Sequence, residues 1–182
     1  MKKVIILVMT VSIWISGICN PISSNSVYEK TTQELVNPTN KSKYEPYRYI
    51  WNYFIQKGVS PQVTAGIMGN MYIESKFNSA VKSSSGYYGY VQMSKSLQRL
   101  VIKKYGSLSS NSQLLHISNW TKGLETGELA YMQNSFSKMQ FASPEHAAQA
   151  FAKYYERPKS KNFMNRMQNA RLIYDYFMRD RK

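Results

Sequence analysis

The segment from Ser60 to Glu74, SPQVTAGIMGNMYIE, constrains the fold more than any other part of the chain. Ser60 is a good helix N-cap, and Pro61 suits the first helical position, where its missing N–H would be unpaired anyway. Val63, Ile67 and Met71 recur at helical spacing, with Met68 and Ile73 on the neighbouring stripe. Gly66 and Gly69 each weaken such a helix by ~1 kcal/mol relative to alanine. Two glycines three apart on an otherwise apolar helix therefore point to close packing against another helix. The helix ends on Glu74, the only acidic residue between Glu45 and Glu125. Apolar neighbours and the negative end of the helix dipole both disfavour a carboxylate, so the expectation is a raised pKa. A carboxyl that holds its proton near neutral pH is what general acid catalysis needs. The Gly/Ser/Tyr-rich run from Ser83 to Tyr90 follows. It reads as a turn or short β-hairpin with exposed aromatics, which beside a carboxylate would serve as sugar-ring platforms.

Other helices are legible around this one. Tyr47–Lys57 carries Tyr47, Ile50, Trp51, Phe54 and Ile55 on one stripe, starting after Pro46 and stopping at Gly58. Ser94–Tyr105 and Asn111–Lys122 end at Gly106 and Gly123. The stretch Leu124–Phe136 continues helical and places Glu125 and Glu128 three apart, able to share a face. On a basic protein these two pair more readily with Lys or Arg than with each other for acid/base work. His116, among apolar residues, reads as structural. Ser143-Pro144-Glu145 opens a helix that Tyr154-Tyr155-Glu156 closes and Pro158 stops; its alanines point to tight packing, with the Glu74 helix a candidate partner. Asn162–Met178 forms the last helix, with Phe163, Met167, Ala170, Ile173, Tyr174 and Phe177 on one side. The expected architecture is mainly α, a multi-helix domain with a small β-hairpin or loop beside Glu74.

The N-terminus reads differently. Met1-Lys2-Lys3 is basic, Val4–Ile18 is almost wholly apolar, and Gly17 and Cys19 are spaced like a signal-peptidase site. The expected organisation is a signal peptide over 1–19, a flexible leader over 20–43 and one domain over 44–182. The apolar run is short of the ~20 residues a bilayer span needs. The expected location is secreted, at the cell wall, with an uncleaved N-terminal membrane anchor as the alternative. Cys19 is the only cysteine, so cleavage after it leaves neither disulfide nor thiol nucleophile. Two histidines without an H-E-x-x-H pattern give a zinc hydrolase no support. No cofactor and no metal are expected.

Net charge is +14, about +12 once Lys2 and Lys3 are removed. Such a bias suits nucleic acid, an anionic membrane surface or an anionic wall polymer. Secretion and the lack of any nucleic-acid motif argue against nucleic acid, and a wall polymer of phosphates and peptide carboxylates would concentrate such a basic chain.

Glu74-Ser75-x-Phe77-Asn78, followed by Ser83, Gly86, Gly89 and Gln92, resembles the signature of lysozyme-like lytic transglycosylases, E-S-x-F-N-P then S-x-x-G-x-x-G-L-M-Q, with no gap in the offsets. The frame from Ile50 to Gly58, and Phe151-Ala-Lys-Tyr-Tyr-Glu-Arg-Pro158, more closely resemble the phage-tail-type lysozyme domain, a group of wall hydrolases of phages and mobile elements. The resemblance covers roughly Tyr47 to Phe177. Ser79 stands in place of the usual proline, Tyr87 of an alanine, Tyr90-Val91 of Leu-Met, and Met93 of a tryptophan.

The resemblance implies cleavage of the MurNAc-GlcNAc β-1,4 bond of peptidoglycan, with Glu74 catalytic. It implies substrate-binding roles for Ser75, Gly89, Tyr90 and Gln92, and for Tyr154, Tyr155 and Glu156, since a late tyrosine commonly lines the cleft. Ser75 would bond the glutamate or substrate, and Gln92 the sugar N-acetyl group or Glu74. Glycosidases usually need two carboxylates, and none lies between Ser75 and Leu124. That scarcity favours a lytic transglycosylase, which works with one glutamate. Hydrolysis stays open as a muramidase if Glu125, Glu128 or Glu156 reaches the cleft. So does a non-catalytic glycan-binding module of a phage or conjugation machine. The expected partners are peptidoglycan glycan strands and anionic wall polymers, with no nucleic acid, for a monomer that such a machine could recruit.

Overall fold

The computed structural model describes residues 43–159 and 162–179. The expected signal peptide over 1–19 and all but the last residue of the expected leader over 20–43 lie outside the described residues. A 3-10 turn, Glu45–Tyr47, leads into α1 (Arg48–Gln56). Then come α2 (Pro61–Ser75), α3 (Lys95–Tyr105), α4 (Ser110–Thr121), α5 (Gln133–Ser137), α6 (Pro144–Phe151) and α7 (Met164–Arg179). Among the described residues no strand forms, so the fold is mainly α. In place of a β-hairpin, the loop after α2 has two isolated antiparallel bridges, Lys82 with Tyr88 and Tyr88 with Met93. Its glycine turns at Gly86 and Gly89, both with φ above +80° or at it, leave too few residues in register for a ladder.

The helix starts follow the sequence. Ser60, Ser94, Ser109 and Ser143 each accept a hydrogen bond from a first-turn amide. One stretch departs from expectation. Leu124–Phe136 is not a continuous helix but a 3-10 turn (Gly127–Ala130) and the short α5, separated by Met132 in the left-handed region. Gly127 at φ +60° starts the break. The break also separates Glu125, which is buried, from the exposed Glu128.

Helix α2 is the axis of the domain. Thr64 through Met71 are all buried, so it is enclosed on every side. It packs most extensively against α7 and α6. The two glycines make this possible. A Cβ at Gly66 would lie 2.7 Å from the Ala148 amide and 2.8 Å from Ala147; one at Gly69 would lie 2.7 Å from the Ala170 amide and the Arg166 carbonyl. Gly66 thus admits α6 and Gly69 admits α7. Trp51 of α1 stacks on Phe177 of α7 at 4.7 Å, closing the same core.

Candidate active site

Glu74 sits in the last turn of α2, and its side chain keeps 22% of its exposure. The chain turns away immediately afterwards, with Lys76 and Phe77 at φ 51° and 63°. One turn before Glu74 is Asn70, fully buried. Its amide donates to the Gly66 carbonyl at 2.8 Å and the Ala148 carbonyl at 3.0 Å, leaving its oxygen free to accept. Arg166, from the first turn of α7, fills that vacancy. Its Nη1 donates to Asn70 Oδ1 at 2.9 Å and to Glu156 Oε2 at 2.6 Å; its Nη2 donates to Glu74 Oε1 at 2.5 Å. The arginine and Glu156 side chains are only 8% and 4% exposed. Two carboxylates therefore meet one buried guanidinium. Apolar neighbours are only part of the setting expected for Glu74; the guanidinium supplies a counter-charge from the far end of the chain.

Glu156 arrives by an unusual piece of backbone. After α6 the helix widens into a π-helical turn, Ala152–Glu156, and Arg157 reverses it at φ 51°. Such widened turns are rare and cluster at functional sites. Burial pushes the Glu156 carboxyl up to about 8, Arg166 opposing and Glu74 reinforcing the rise. Its Oε1 is enclosed and has no hydrogen-bond partner.

The loop from Phe77 to Met93 is fastened to α2 and α4. The Ser75 hydroxyl lies 3.1 Å from the Met71 carbonyl and 2.9 Å from the Tyr90 carbonyl, so it ties helix to loop. Gly89 stands at φ +80°, and a Cβ there would meet Gln113 Oε1 at 2.1 Å. Gln113, fully buried on α4, accepts from the Tyr90 amide and donates to the Ser79 and Leu108 carbonyls. Tyr90 is not an exposed platform. It is 1% exposed, with its hydroxyl 2.7 Å from those of Tyr49 and Ser110. Of the three tyrosines in this run only Tyr87 is exposed. Gln92, at φ 48°, donates to the Gly89 carbonyl at 3.1 Å.

A cavity of about 850 Å³ opens beside this loop. Gln92, Tyr154, Tyr155, Glu156 and Glu128 are among its walls. Glu74 is not; it joins the cavity wall through the guanidinium it shares with Glu156. Three enclosed polar atoms of wall residues lack partners: His116 Nε2, Tyr155 Oη and Glu156 Oε1. Unpaired buried polar atoms are costly, and a sugar ligand, dense in hydroxyls and amides, has the groups to satisfy them. Tyr155 is held flat on Phe151 at 4.8 Å and edge-on to Trp120 at 4.9 Å.

Glu125 is arranged differently. Its carboxylate takes hydrogen bonds from Lys104 and Tyr105, both at 2.5 Å, and lies 2.9 Å from His116 Nδ1. Its side chain is 0% exposed. Burial pushes this carboxyl up, but His116, Lys104 and Tyr105 together outweigh that and hold it below the usual glutamate range. His116 is structural here, as its apolar neighbours imply, yet its other nitrogen borders the cavity.

Among the described residues no group of His, Cys, Asp and Glu is arranged to hold a metal, and no helix is long and apolar enough to cross a membrane.

The model of the phage tail lysozyme family matches residues 45–177. The chain belongs to the phage tail lysozyme family. No curated protein matches it. The matched span runs from the turn before α1 to the last turns of α7, so it includes Glu74, Glu156 and Arg166. Membership makes this a lysozyme-like glycosidase whose substrate is peptidoglycan.

Sequence reading missed Asn70, Gln113 and Arg166. Arg166 carried a usable signal. It shares the helical face of Ala170, Ile173 and Phe177, all buried on α7. A cation in register with an apolar stripe needs a buried anion.

Proposed function

We propose that this lysozyme cleaves the MurNAc-GlcNAc bond as a lytic transglycosylase, with Glu74 as its single acid/base. The observation that carries this reading is the state of the other glutamates. Glu125 is sealed at 0% side-chain exposure under three donors. Glu156 is enclosed and shares its arginine with Glu74. Neither is placed as an independent base for water. Glu74, partly open beside the loop, can act twice. Its proton goes to the glycosidic oxygen as the C1–O bond breaks, the bonding pair leaving with that oxygen. The carboxylate so formed then takes the proton of the muramyl 6-hydroxyl as O6 bonds to C1. The product is a 1,6-anhydro end, no water is consumed, and Glu74 is again protonated.

Ser75 and Gly89 act here by building the site, one joining helix to loop and the other admitting Gln113. Gln92, Tyr154 and Tyr155 border the cavity in which sugar would lie. The N-terminal run Met1–Cys19 supports secretion, and the positive charge supports retention on anionic wall polymer.

Hydrolysis is the second reading, favoured by one feature: Glu128 is exposed on the wall of the same cavity as Glu156. It would then activate water. Digestion of purified peptidoglycan, read by mass spectrometry beside Glu74→Gln, decides. Anhydro ends that vanish in the variant support the proposal. Reducing ends that require Glu128 replace it with the muramidase. Cleavage that survives Glu74→Gln removes Glu74 from its role.

A further inference from the structure

We infer that Glu156 is a positioning residue for the reaction: facing the one Arg166 guanidinium, it shares a single proton with Glu74, so that the pair, not Glu74 alone, sets the pH range in which the general acid carries its proton. This deepens the single-glutamate reading above and rests on it.

The geometry gives the charge count. Arg166 supplies one positive charge and touches Glu74 through Nη2 at 2.5 Å and Glu156 through Nη1 at 2.6 Å. Both carboxylates ionised would leave the trio at one net negative charge. One added proton brings it to neutrality. Asn70, the fourth member, is neutral and already fully engaged through its amide. In a site where Glu156 is 4% exposed and Arg166 8%, an uncompensated charge is costly, so the second deprotonation is resisted.

The resting form places the proton on Glu156. Its Oε1 is enclosed without a partner, a poor setting for a negative oxygen, and burial moves this carboxyl toward the neutral form. Moving the proton to Glu74 leaves the charge count unchanged, because the same guanidinium then faces the Glu156 carboxylate. The two forms are tautomers of one unit, and their titration belongs to the pair. A glutamate alone against an arginine would be stripped of its proton well below neutral pH. With a second carboxyl competing for that arginine, a proton stays available at the site.

The groups around Glu156 leave this account intact. From α7 comes Arg166 and from α2 comes Glu74. On its own segment, Tyr155 is buried and neutral, Lys153 lies over the Tyr154 ring, and Arg157 is turned onto the Tyr131 ring at 4.6 Å. On the α4 side Glu125 is bonded to Lys104 and His116, and the Tyr155 ring lies 5.8 Å from that of His116. No second cation among these pairs with Glu156 in the described residues.

The test is the pH dependence of kcat and KM on solubilised peptidoglycan for the wild type, Glu156→Gln and Glu156→Asp, with Glu145→Gln as a control from the separate ion pair between α6 and α7. Carboxyl NMR titration of Glu74 and Glu156 runs in parallel. Glu156→Gln keeps the shape but cannot compete for Arg166. Its alkaline limb should move to lower pH by about one unit or more, with kcat changing across the pH range more than KM does. Glu156→Asp should move the limb back, and Glu145→Gln should leave it in place. The wild-type NMR curves should show two coupled steps shared by both glutamates. An unmoved limb in a folded Glu156→Gln, a loss equal at every pH, or independent single-step titrations would overturn the inference. If instead Glu74→Gln still cleaves while the NMR steps remain coupled, the catalytic reading fails and the proton sharing stands.

Discussion

Two buried glutamates, Glu156 in the cavity wall and Glu125 behind the wall residue His116, are treated in opposite ways. Glu125 is surrounded by donors: an ammonium, a phenol and an imidazole, all on a carboxylate with no exposure. It is held ionised. Glu156 has half a guanidinium and one oxygen with no partner. It is pushed toward its neutral form. Depth of burial does not separate them; the number of donors per carboxylate does. A carboxylate with three donors is favoured in its charged form, while one that shares its cation with a second carboxylate is favoured in its neutral form.

The largest effect on stability should come from Arg166→Met. It leaves two carboxylates near Asn70 without a cation, and breaking a buried ion network costs about 3–5 kcal/mol. Thermal unfolding reads this, and the loss should shrink at low pH as the carboxyls protonate. A variant as stable as wild type at neutral pH would mean that Arg166 is not the counter-charge.

Glu125→Gln should cost about 1–3 kcal/mol, because Lys104 and His116 lose their anion while the amide keeps some hydrogen bonds. Chemical denaturation measures it. Unlike Glu156→Gln, it should leave the alkaline limb of cleavage in place. A moved limb would erase the distinction between the two glutamates.

Gly69→Ala should cost about 1–3 kcal/mol by overpacking. Its new methyl meets backbone, the Arg166 carbonyl and the Ala170 amide, so α7 must shift. The comparison sharpens if the melting temperature falls together with kcat in Gly69→Ala. Gly66→Ala presses on α6 instead, away from the arginine.

The smallest effects are two opposite slopes of stability against pH. Glu125 has a depressed folded pKa, so its contribution is present above the ordinary glutamate value and is lost as pH falls through the folded one. Glu156 has a raised one. The folded state then binds more protons between about 4.5 and 8, and stability falls as pH rises through that window. Glu156→Gln should flatten the alkaline slope and Glu125→Gln the acid one. Exchange of those two assignments would reverse the comparison.

Much of this is legible in the sequence. Ser60-Pro61 and Ser143-Pro144 mark helix starts by local capping chemistry, and the structure has them in place. Gly66 and Gly69 point to helix packing because nothing else explains two poor helix formers in that position, and α6 and α7 lie against them. Leu124–Phe136 departs from its pattern. Its apolar spacing is helical, but Gly127 and a left-handed Met132 break it, and Met132 carries no turn signal. The tyrosines after Ser83 were read as platforms, yet Tyr90 turns inward to Tyr49 and Ser110, contacts made with residues 41 and 20 positions away.

Local chemistry thus determined most of the helices, the isolation of Glu74 among apolar residues, and the signature that places the chain among the lysozymes. These depend on neighbours within a few positions, and a sequence displays neighbours directly. Only the tertiary structure decided what faces Glu74. Arg166 is 92 residues away, Glu156 reaches the same cation through a widened turn, and Asn70 orients it from the middle of α2. The charge state of a buried carboxyl is set by groups within a few ångströms in space, and folding chose those from opposite ends of the domain.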